Sequence, residues 1–355
     1  MGENFVSLKV KTSIAFALVD KGGGHVMTEE QWNPGKLMKV SGAFWESFPL
    51  HAAVDLDVFT RIGEGSLTAE EIASQWKGDA RSARMLLDAL AAMGLLEKKE
   101  ARYSNTQAAK AFLVKTSPAY MGFAVKHHRN LVSAWSKLSQ AVKTGKPVRK
   151  KRRTRSELEN FLMAMYNNAS GLAPRITTEI DLSARRHLLD LGGGPGTYAI
   201  HFCRANPGLR ATVFDLPTTE PFARKTIKRF GLSSRIGFQS GDYLHDAVQG
   251  TYDVAWLSQI LHSMGPEDCR AVIKKAVSAL EPGGLILVHD FLLNDTHDSP
   301  LFPALFALNM LVNTEEGRSY SEGEVRDMLT KAGVRNIQRL PFRGPTDSGI
   351  LSGTV

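Results

Sequence analysis

The second half of the chain alternates short apolar stretches with helical ones, and this rhythm constrains the fold more than any other feature. Only FRGPTDSG separates the last two apolar stretches, which is too short for a parallel crossover, so that pair is predicted to be antiparallel. We therefore predict an α/β fold, a doubly wound, Rossmann-like sheet of seven strands that binds ligands at the carboxyl ends of its strands. The predicted strands are 187–191, 210–215, 236–240, 252–258, 284–291, 336–341 and 350–355.

The first part of the chain, from about 36 to 112, has a different pattern of short helices that end in a hairpin. TAEEIASQW (68–76) begins with a capping box, and the next apolar helical pattern stops at Gly94. LLEKKEARYSNT (95–106) then alternates across a charged turn, which predicts the wing of a winged helix. A further helix is predicted over 118–142. Because the second helix of the motif is mostly apolar, dimerisation is favoured over insertion into a DNA groove.

Composition limits the classes of protein that the chain can belong to. Two cysteines, Cys203 and Cys269, offer neither a disulfide framework nor a Cys-x-x-Cys site, so a reducing cytoplasm is expected. No apolar run approaches the roughly 20 residues of a membrane span. The formal net charge of +8 comes almost entirely from KPVRKKRRTR (146–155), which is read as a basic linker. An anionic partner or a gate for an anionic substrate is the alternative.

These patterns divide the chain into four segments. They are an N-terminal extension (1–35), a winged-helix dimerisation domain (36–145), the basic linker (146–156) and an α/β domain (157–355). Residues 1–26 show little amphipathic period, and MTEEQWNPGKLM reads like an ordinary start, so translation is expected to be able to begin at Met27.

The stretch LLDLGGGPGTYAI (188–200) runs the first strand of the α/β domain into a glycine loop. Gly192, Gly194 and Gly196 let the backbone turn tightly and approach a ligand. No Lys-Ser or Lys-Thr follows, so a Walker loop is excluded, but a nicotinamide dinucleotide site stays open through the G-x-G-x-x-A match. Asp215, which ends the second strand nineteen residues after Gly196, predicts a carboxylate for a ribose diol.

Two further carboxylates favour a cationic ligand. Asp242 and Tyr243 follow the third strand and combine an acceptor for an adenine amine with an aromatic wall. Asp190, at the end of the first strand, can meet the ammonium of a methionine moiety and would repel a pyrophosphate. The acidic lining therefore favours S-adenosylmethionine.

Taken in order, LLDLGGGPG, FDLP, GDYL, LSQILHSMGPEDC, LEPGGLILVHDFL and EEGRSYSEGEV resemble the S-adenosylmethionine-dependent O-methyltransferases of the plant caffeate and bacterial secondary-metabolite type. The resemblance extends from about residue 36 to the end. It implies a homodimer formed through the N-terminal domain, a metal-independent reaction, and methylation of a hydroxyl on an aromatic or polyketide-like small molecule. The residues predicted to bind the donor are Asp190, Gly192, Gly194, Gly196, Asp215, Leu216, Asp242, Tyr243 and Ser258.

The resemblance also assigns the chemistry. His262 matches the family's general base, and Asp290 matches the carboxylate that orients it, although the family more often has Glu there. His289, next to Asp290, is predicted to point the other way along its strand. Two positions depart from the family pattern, because Ser263 replaces an Asp and Gly317 replaces a second Glu. Glu316, one residue away, is a candidate substitute.

The acceptor pocket is the part of the site that the sequence predicts in least detail. Helices that line it in the family carry Met165, Phe306, Asn309, Met310 and Asn313 here, and apolar and amide side chains of this kind suit flat rings. Three alternatives stay open at this point: a family member that binds the donor without transferring methyl, a nicotinamide dehydrogenase, and a DNA-binding regulator built on the winged helix and the basic run.

Overall fold

The computed structural model describes residues 32–149 and 154–355, and these fall into two compact units, 32–45 and the residues from 46 onward. Met27 and the middle of the basic segment lie outside the described residues. The helices are α1 (Pro34–Ser41), α2 (Phe44–Asp55), α3 (Val58–Ile62), α4 (Ala69–Trp76), α5 (Ala80–Ala92), α6 (Gln107–Leu113), α7 (Gly122–Trp135), α8 (Leu138–Thr144), α9 (Arg155–Glu179), α10 (Thr197–Ala205), α11 (Glu220–Arg229), α12 (Pro266–Ser278), α13 (Leu301–Asn313) and α14 (Glu322–Lys331). The strands are β1 (Ser66–Thr68), β2 (Leu96–Lys99), β3 (Arg102–Asn105), β4 (His187–Leu191), β5 (Arg210–Asp215), β6 (Ile236–Ser240), β7 (Tyr252–Ser258), β8 (Leu280–Phe291), β9 (Arg335–Arg339) and β10 (Ser348–Thr354).

The region before residue 115 is built from short helices and a small antiparallel sheet of order β1-β3-β2. The predicted capping box is present: the Thr68 hydroxyl accepts the Glu71 amide, and the Glu71 carboxylate accepts the Thr68 amide. α5 stops at Ala92, two residues before Gly94, whose φ is +75°. β2 and β3 form the predicted hairpin, so the order of helix, helix and hairpin is confirmed.

The second part of the chain contains the predicted sheet, which has the order β6-β5-β4-β7-β8-β10-β9 in the described residues. The first five strands run parallel, and β10 pairs antiparallel with both β8 and β9, as predicted for the last pair. Both faces of the sheet are buried. Leu188 and Trp256 pack into a core on one face, and Leu189 and Leu257 pack into a core on the other.

The structure corrects two details of the prediction. β8 begins at Leu280 instead of 284, and the register against β7 shifts between Tyr252 and Val254. Asp290 lies near the end of β8, within the predicted strand, and is paired with Gly349. The single helix expected over 118–142 is two helices, α7 and α8, because the Lys137 amide bonds to the Ala134 carbonyl and tightens the last turn of α7.

Parallel strands place their carboxyl ends at one edge of the sheet. β4, β5, β6, β7 and β8 all end at that edge, where the glycine loop and the acidic residues of the sequence prediction follow them. Within residues 32–149 and 154–355, every helix falls short of the length and apolar character that a membrane crossing requires.

One guanidinium holds the loop between α10 and β5. Arg235 Nη2 donates to the backbone carbonyls of Cys203, Asn206 and Leu209 over 2.6–2.7 Å.

These hydrogen bonds generate a prediction about stability. Removing the guanidinium leaves three half-buried carbonyls without this donor, so Arg235→Met is expected to lower the free energy of unfolding by about 2 kcal/mol. Urea denaturation measures the change, and Arg224→Met, which breaks only an exposed pair with Glu220, is the control with little expected effect. An unchanged stability for Arg235→Met would contradict this role.

Candidate active site

A histidine and an aspartate meet at the carboxyl edge of the sheet. His262 lies on a single turn of 3₁₀ helix (Leu261–Ser263) after β7, and its Nδ1 is 2.7 Å from Oδ1 of Asp290. Between β7 and this turn, Gln259 adopts a φ of +55° and its amide donates to the His289 carbonyl over 2.7 Å. This local turn fixes the chain so that the imidazole faces the neighbouring strand.

The carboxylate of Asp290 is held ionised despite its burial. The side chains of Asp290 and His262 are only 7% and 12% exposed. Burial works to raise the pKa of Asp290, but the charge and the hydrogen bond of His262, together with the Phe291 amide, outweigh it and hold that pKa below its ordinary value. The second carboxylate oxygen, Oδ2, has no hydrogen-bond partner in the described part of the chain.

Three phenylalanines form an aromatic wall beside the imidazole. Phe291 stacks on His262 with ring centroids 5.8 Å apart, and Phe306 meets it edge-on at 4.8 Å. Phe302 contacts both phenylalanines at 5.0 and 5.9 Å. The imidazole Nε2 has no hydrogen-bond partner among the described residues, so it is the nitrogen left to meet a ligand. The wall supplies a flat apolar surface next to it.

The glycine loop lies at the end of β4 and begins α10. Gly192, Gly194 and Gly196 have φ values of +69°, +55° and +75°, which L residues rarely adopt. A Cβ at Gly192 would come within 2.6 Å of the Ile260 side chain, whereas a Cβ at Gly194 would meet nothing within 4 Å. The loop therefore leaves open space above its middle glycine, where a ligand can approach the backbone.

Two carboxylates accept backbone amides of this loop and of the first turn of α10. Asp215 Oδ2 accepts the Gly194 amide at 2.8 Å, and burial raises its pKa. Asp190 is 1% exposed, accepts the Ala199 amide through Oδ2, and has a buried Oδ1 without a partner in the described chain. Burial raises the pKa of Asp190 to about 7, so the full negative charge assumed from the sequence needs a nearby cation.

A third acidic position follows β6. Asp242 Oδ1 accepts the Leu244 amide at 2.8 Å, which folds residues 242–246 into a tight turn that carries Tyr243. Lys275 of α12 clamps this turn, because its Nζ donates to the carbonyls of Tyr243 and Asp246 at 2.6 Å each. This lysine could not be predicted from the sequence, because nothing local distinguishes it from Lys274.

The residues expected in the acceptor pocket have mixed placements. Phe306 contacts His262, and Asn309 and Asn313 continue along the same face of α13, where Asn313 Nδ2 donates to Asn309 Oδ1 at 3.0 Å. Met165 is half-buried on α9, and Met310 is 7% exposed.

Of the residues predicted to bind the donor, two remain. Leu216 is 42% exposed, and Ser258 Oγ lies 2.9 Å from Nδ1 of His289. His289 bonds through Nε2 to Ser348 and so points away from Asp290, as expected.

Gly317 explains one departure from the family pattern. A Cβ at this position would lie 2.6 Å from the His262 carbonyl and 2.5 Å from the Thr314 hydroxyl. The loop after α13 therefore packs directly against the backbone of the imidazole turn, and a side chain has no room there. Glu316 is exposed and its carboxylate lies against Gly265, so in the described structure the acidic contact of His262 is Asp290.

Comparison with known proteins agrees with this geometry. Residues 121–335 match the model of the O-methyltransferase domain, and residues 38–115 match the O-methyltransferase dimerisation domain. The chain is 32% identical over 340 residues to the 3-hydroxy-5-methyl-1-naphthoate 3-O-methyltransferase of Streptomyces sahachiroi, covering 94% of this chain and 98% of the relative. It is 33% identical over 326 residues to the tetracenomycin polyketide synthesis 8-O-methyl transferase of Streptomyces glaucescens, covering 88% and 94%. The crystal structure of human N-acetylserotonin methyltransferase in complex with S-adenosylmethionine superposes with a TM-score of 0.80 at 27% identity, covering 92% of this chain and 99% of that one.

The fold and the site define a methyltransferase. The chain belongs to the O-methyltransferase family and is an S-adenosylmethionine-dependent O-methyltransferase with the family's dimerisation domain. This assignment decides against the nicotinamide dehydrogenase that the G-x-G-x-x-A match had left open. Three observations fit the donor: the open space over Gly194, the partnerless oxygen of Asp190, and the carboxylate of Asp215 beside the loop. Among residues 32–149 and 154–355 there is no cluster of three or more metal-binding side chains.

The Lys275 clamp generates a prediction about donor binding. Lys275→Met removes both hydrogen bonds to the 242–246 turn, so it is expected to weaken the binding of S-adenosylhomocysteine about tenfold. Lys274→Met, on the exposed side of the same helix, is the matched control. Isothermal titration calorimetry measures both variants, and equal affinities for them would refute the clamp.

Proposed function

We propose that His262 is the general base of the methyl transfer and that Asp290 orients it. The observation that carries this proposal is the 2.7 Å contact between His262 Nδ1 and Asp290 Oδ1, which leaves Nε2 unpaired beside the aromatic wall. A carboxylate on Nδ1 fixes the tautomer whose Nε2 is free to accept a proton. The same carboxylate stabilises the imidazolium after the proton has moved.

The proposed acceptor is a hydroxylated aromatic or polyketide-like small molecule. Two relatives act, by their names, on a naphthoate and in the synthesis of a polyketide, and Phe291, Phe302 and Phe306 offer flat rings beside His262. Stacking on this wall would present a phenolic oxygen to Nε2 while excluding water. Met165, Asn309, Met310 and Asn313 stay proposed acceptor contacts.

In the proposed reaction the protein moves one proton and positions two reactants. S-adenosylmethionine supplies an electrophilic methyl group, whose bond to sulfur breaks as the acceptor oxygen forms its bond to carbon. His262 Nε2 takes the hydroxyl proton during this attack, so the ether product and the imidazolium form together. The aromatic wall holds the acceptor in line with the donor, and positioning supplies much of the rate. No metal is required by this route.

The donor would lie along the edge formed by β4, β5 and β6. We assign its methionine end to the glycine loop and Asp190, its ribose to Asp215 with Leu216 nearby, and its adenine to Asp242 and Tyr243. Ser258 is the remaining proposed contact. This order is supported by the positions of the three acidic residues, which lie at or just after the carboxyl ends of three neighbouring strands, β4, β5 and β6, at the same edge.

We also propose that the chain works as a cytoplasmic homodimer. The match of residues 38–115 to a dimerisation domain supports association, and the helices and hairpin between 58 and 105 support a winged-helix arrangement used for protein contact instead of DNA. The domain limits 36–145 and 157–355, with 146–156 between them, stay part of the proposal.

The pairing of His262 with Asp290 generates a prediction for turnover. His262→Ala removes the base and is expected to lower kcat by about a hundredfold to ten-thousandfold, with donor binding unchanged. Asp290→Asn removes the orienting charge and is expected to lower kcat by a smaller factor. Formation of S-adenosylhomocysteine with a phenolic acceptor measures both.

The control for this prediction is His297→Ala, which changes an exposed histidine between β8 and α13. Full turnover by His262→Ala would sink the assignment of the base. If the enzyme forms S-adenosylhomocysteine with none of the acceptors tested, the result would instead favour a family member that binds the donor without transferring methyl.

The burial of Asp190 generates a prediction for pH dependence. With a pKa of about 7 in the free protein, its carboxyl is partly protonated at neutral pH, and an ammonium beside it would favour the ionised form. Binding of S-adenosylhomocysteine is therefore expected to release protons and to tighten about tenfold as the pH rises from about 6 to 8. Calorimetry in two buffers of different ionisation enthalpy counts the protons. Binding without proton release near neutral pH would show that Asp190 does not face the ammonium.

A further inference from the structure

Val148 and Arg149, in the first part of the basic segment, are hydrogen-bonded to α13, the helix that carries Phe306, Asn309 and Asn313. The backbone amides of Val148 and Arg149 both donate to the Val312 carbonyl near the end of α13, at 3.1 and 3.2 Å. The Val148 side chain packs against a small cluster that contains Ala134 and Ala141. Residues 148 and 149 are therefore held against α13 and the helices α7 and α8, and do not behave as a solvated linker.

The side chain of Arg149 is half-buried and lacks an acidic partner. Its Nη1 lies 3.5 Å from Asn313 Oδ1, and no carboxylate forms an ion pair with it in the described ranges. Burial lowers the pKa of this guanidinium, and the more distant charge of Glu157 only opposes the effect. A guanidinium carries five N–H donors in a planar fork, so Arg149, with a single long contact among the described residues, has donors left to meet an oxyanion.

A line of side chains connects this guanidinium with the imidazole. Phe302, Phe306, Asn309 and Asn313 repeat along one face of α13, beginning at the aromatic wall beside His262. Asn309 Oδ1 accepts from Trp135 Nε1 and from Asn313 Nδ2, both at 3.0 Å, and Asn313 faces Arg149. The seven helical steps from Phe306 to Asn313 span about 10 Å, close to the length of two fused aromatic rings with their substituents.

We propose that Arg149 binds a carboxylate of the acceptor, so that the enzyme methylates aromatic hydroxy acids whose hydroxyl and carboxylate lie at opposite ends of the ring system. The hydroxyl would meet His262, and the carboxylate would meet the fork of Arg149 beyond the amide groups of α13. This inference rests on the proposed function, because it uses His262 as the point where the hydroxyl binds.

The test compares one ring system with and without its charge. The probes are 6-hydroxy-2-naphthoate and its methyl ester, titrated calorimetrically into the full-length enzyme saturated with S-adenosylhomocysteine. The wild-type enzyme is expected to bind the acid about tenfold or more tightly than the ester. In Arg149→Gln the ratio falls to about one, whereas Arg149→Lys keeps part of it, because the charge stays and the fork is lost.

Lys146→Gln is the matched control, because it removes an exposed charge from the same segment and is expected to keep the wild-type ratio. A merely structural role of Arg149 would weaken the acid and the ester equally, and this result would overturn the inference. Equal binding of both probes by the wild-type enzyme, or binding of neither, would overturn it as well.

Methyl transfer is assayed separately by mass spectrometry. Formation of methyl esters of the acid without hydroxyl ethers would refute His262 as the base. The ratio of the two binding affinities would still report on Arg149.

Discussion

The contact between His262 Nδ1 and Asp290 Oδ1 is the interaction on which the rest of the site depends. It joins the ends of β7 and β8, which are neighbours in the sheet with Ser258 paired to His289. Desolvating a carboxylate is costly, and the second oxygen of Asp290 has no partner in the described chain. The imidazole offsets part of that cost and is held in place by the same bond. Burial of the pair thus fixes the orientation of the His262 ring, and the desolvation of Asp290 lowers the stability of the fold.

The packing around this pair leaves it little freedom. Phe291 and Phe306 cover the imidazole ring, and Gly317 brings the loop after α13 against the His262 carbonyl. A chain with Gly at this position gains a close backbone approach where the family pattern has a second acidic side chain. The departure from the pattern therefore gives His262 direct packing where the pattern has a second charge. α13 links this packing to the proposed acceptor contacts, because it carries both Phe306 and the amide groups that lead to Arg149.

Much of the fold could be predicted because it follows from local patterns. Apolar runs separated by helical stretches gave all seven strands of the large sheet within a few residues, and Thr68 with Glu71 marked the start of a helix. The acidic positions could be placed because each lies at or just after the end of a strand whose direction the alternation predicts. Three features had no local signal: the clamp of Lys275 on a distant turn, the approach of Gly317 to His262, and the docking of Arg149 on α13. Each depends on residues far apart in the chain, and only tertiary packing brings them together.

The protonation of the imidazole tests the central claim most directly. If Asp290 orients His262 as a base, the neutral ring carries its proton on Nδ1 and leaves Nε2 free. Nitrogen-15 NMR of the enzyme bound to S-adenosylhomocysteine, with His262→Gln used to assign the resonance, distinguishes the two tautomers. The account predicts a protonated Nδ1 and an unprotonated Nε2 in the neutral ring. A neutral His262 with its proton on Nε2 would contradict it.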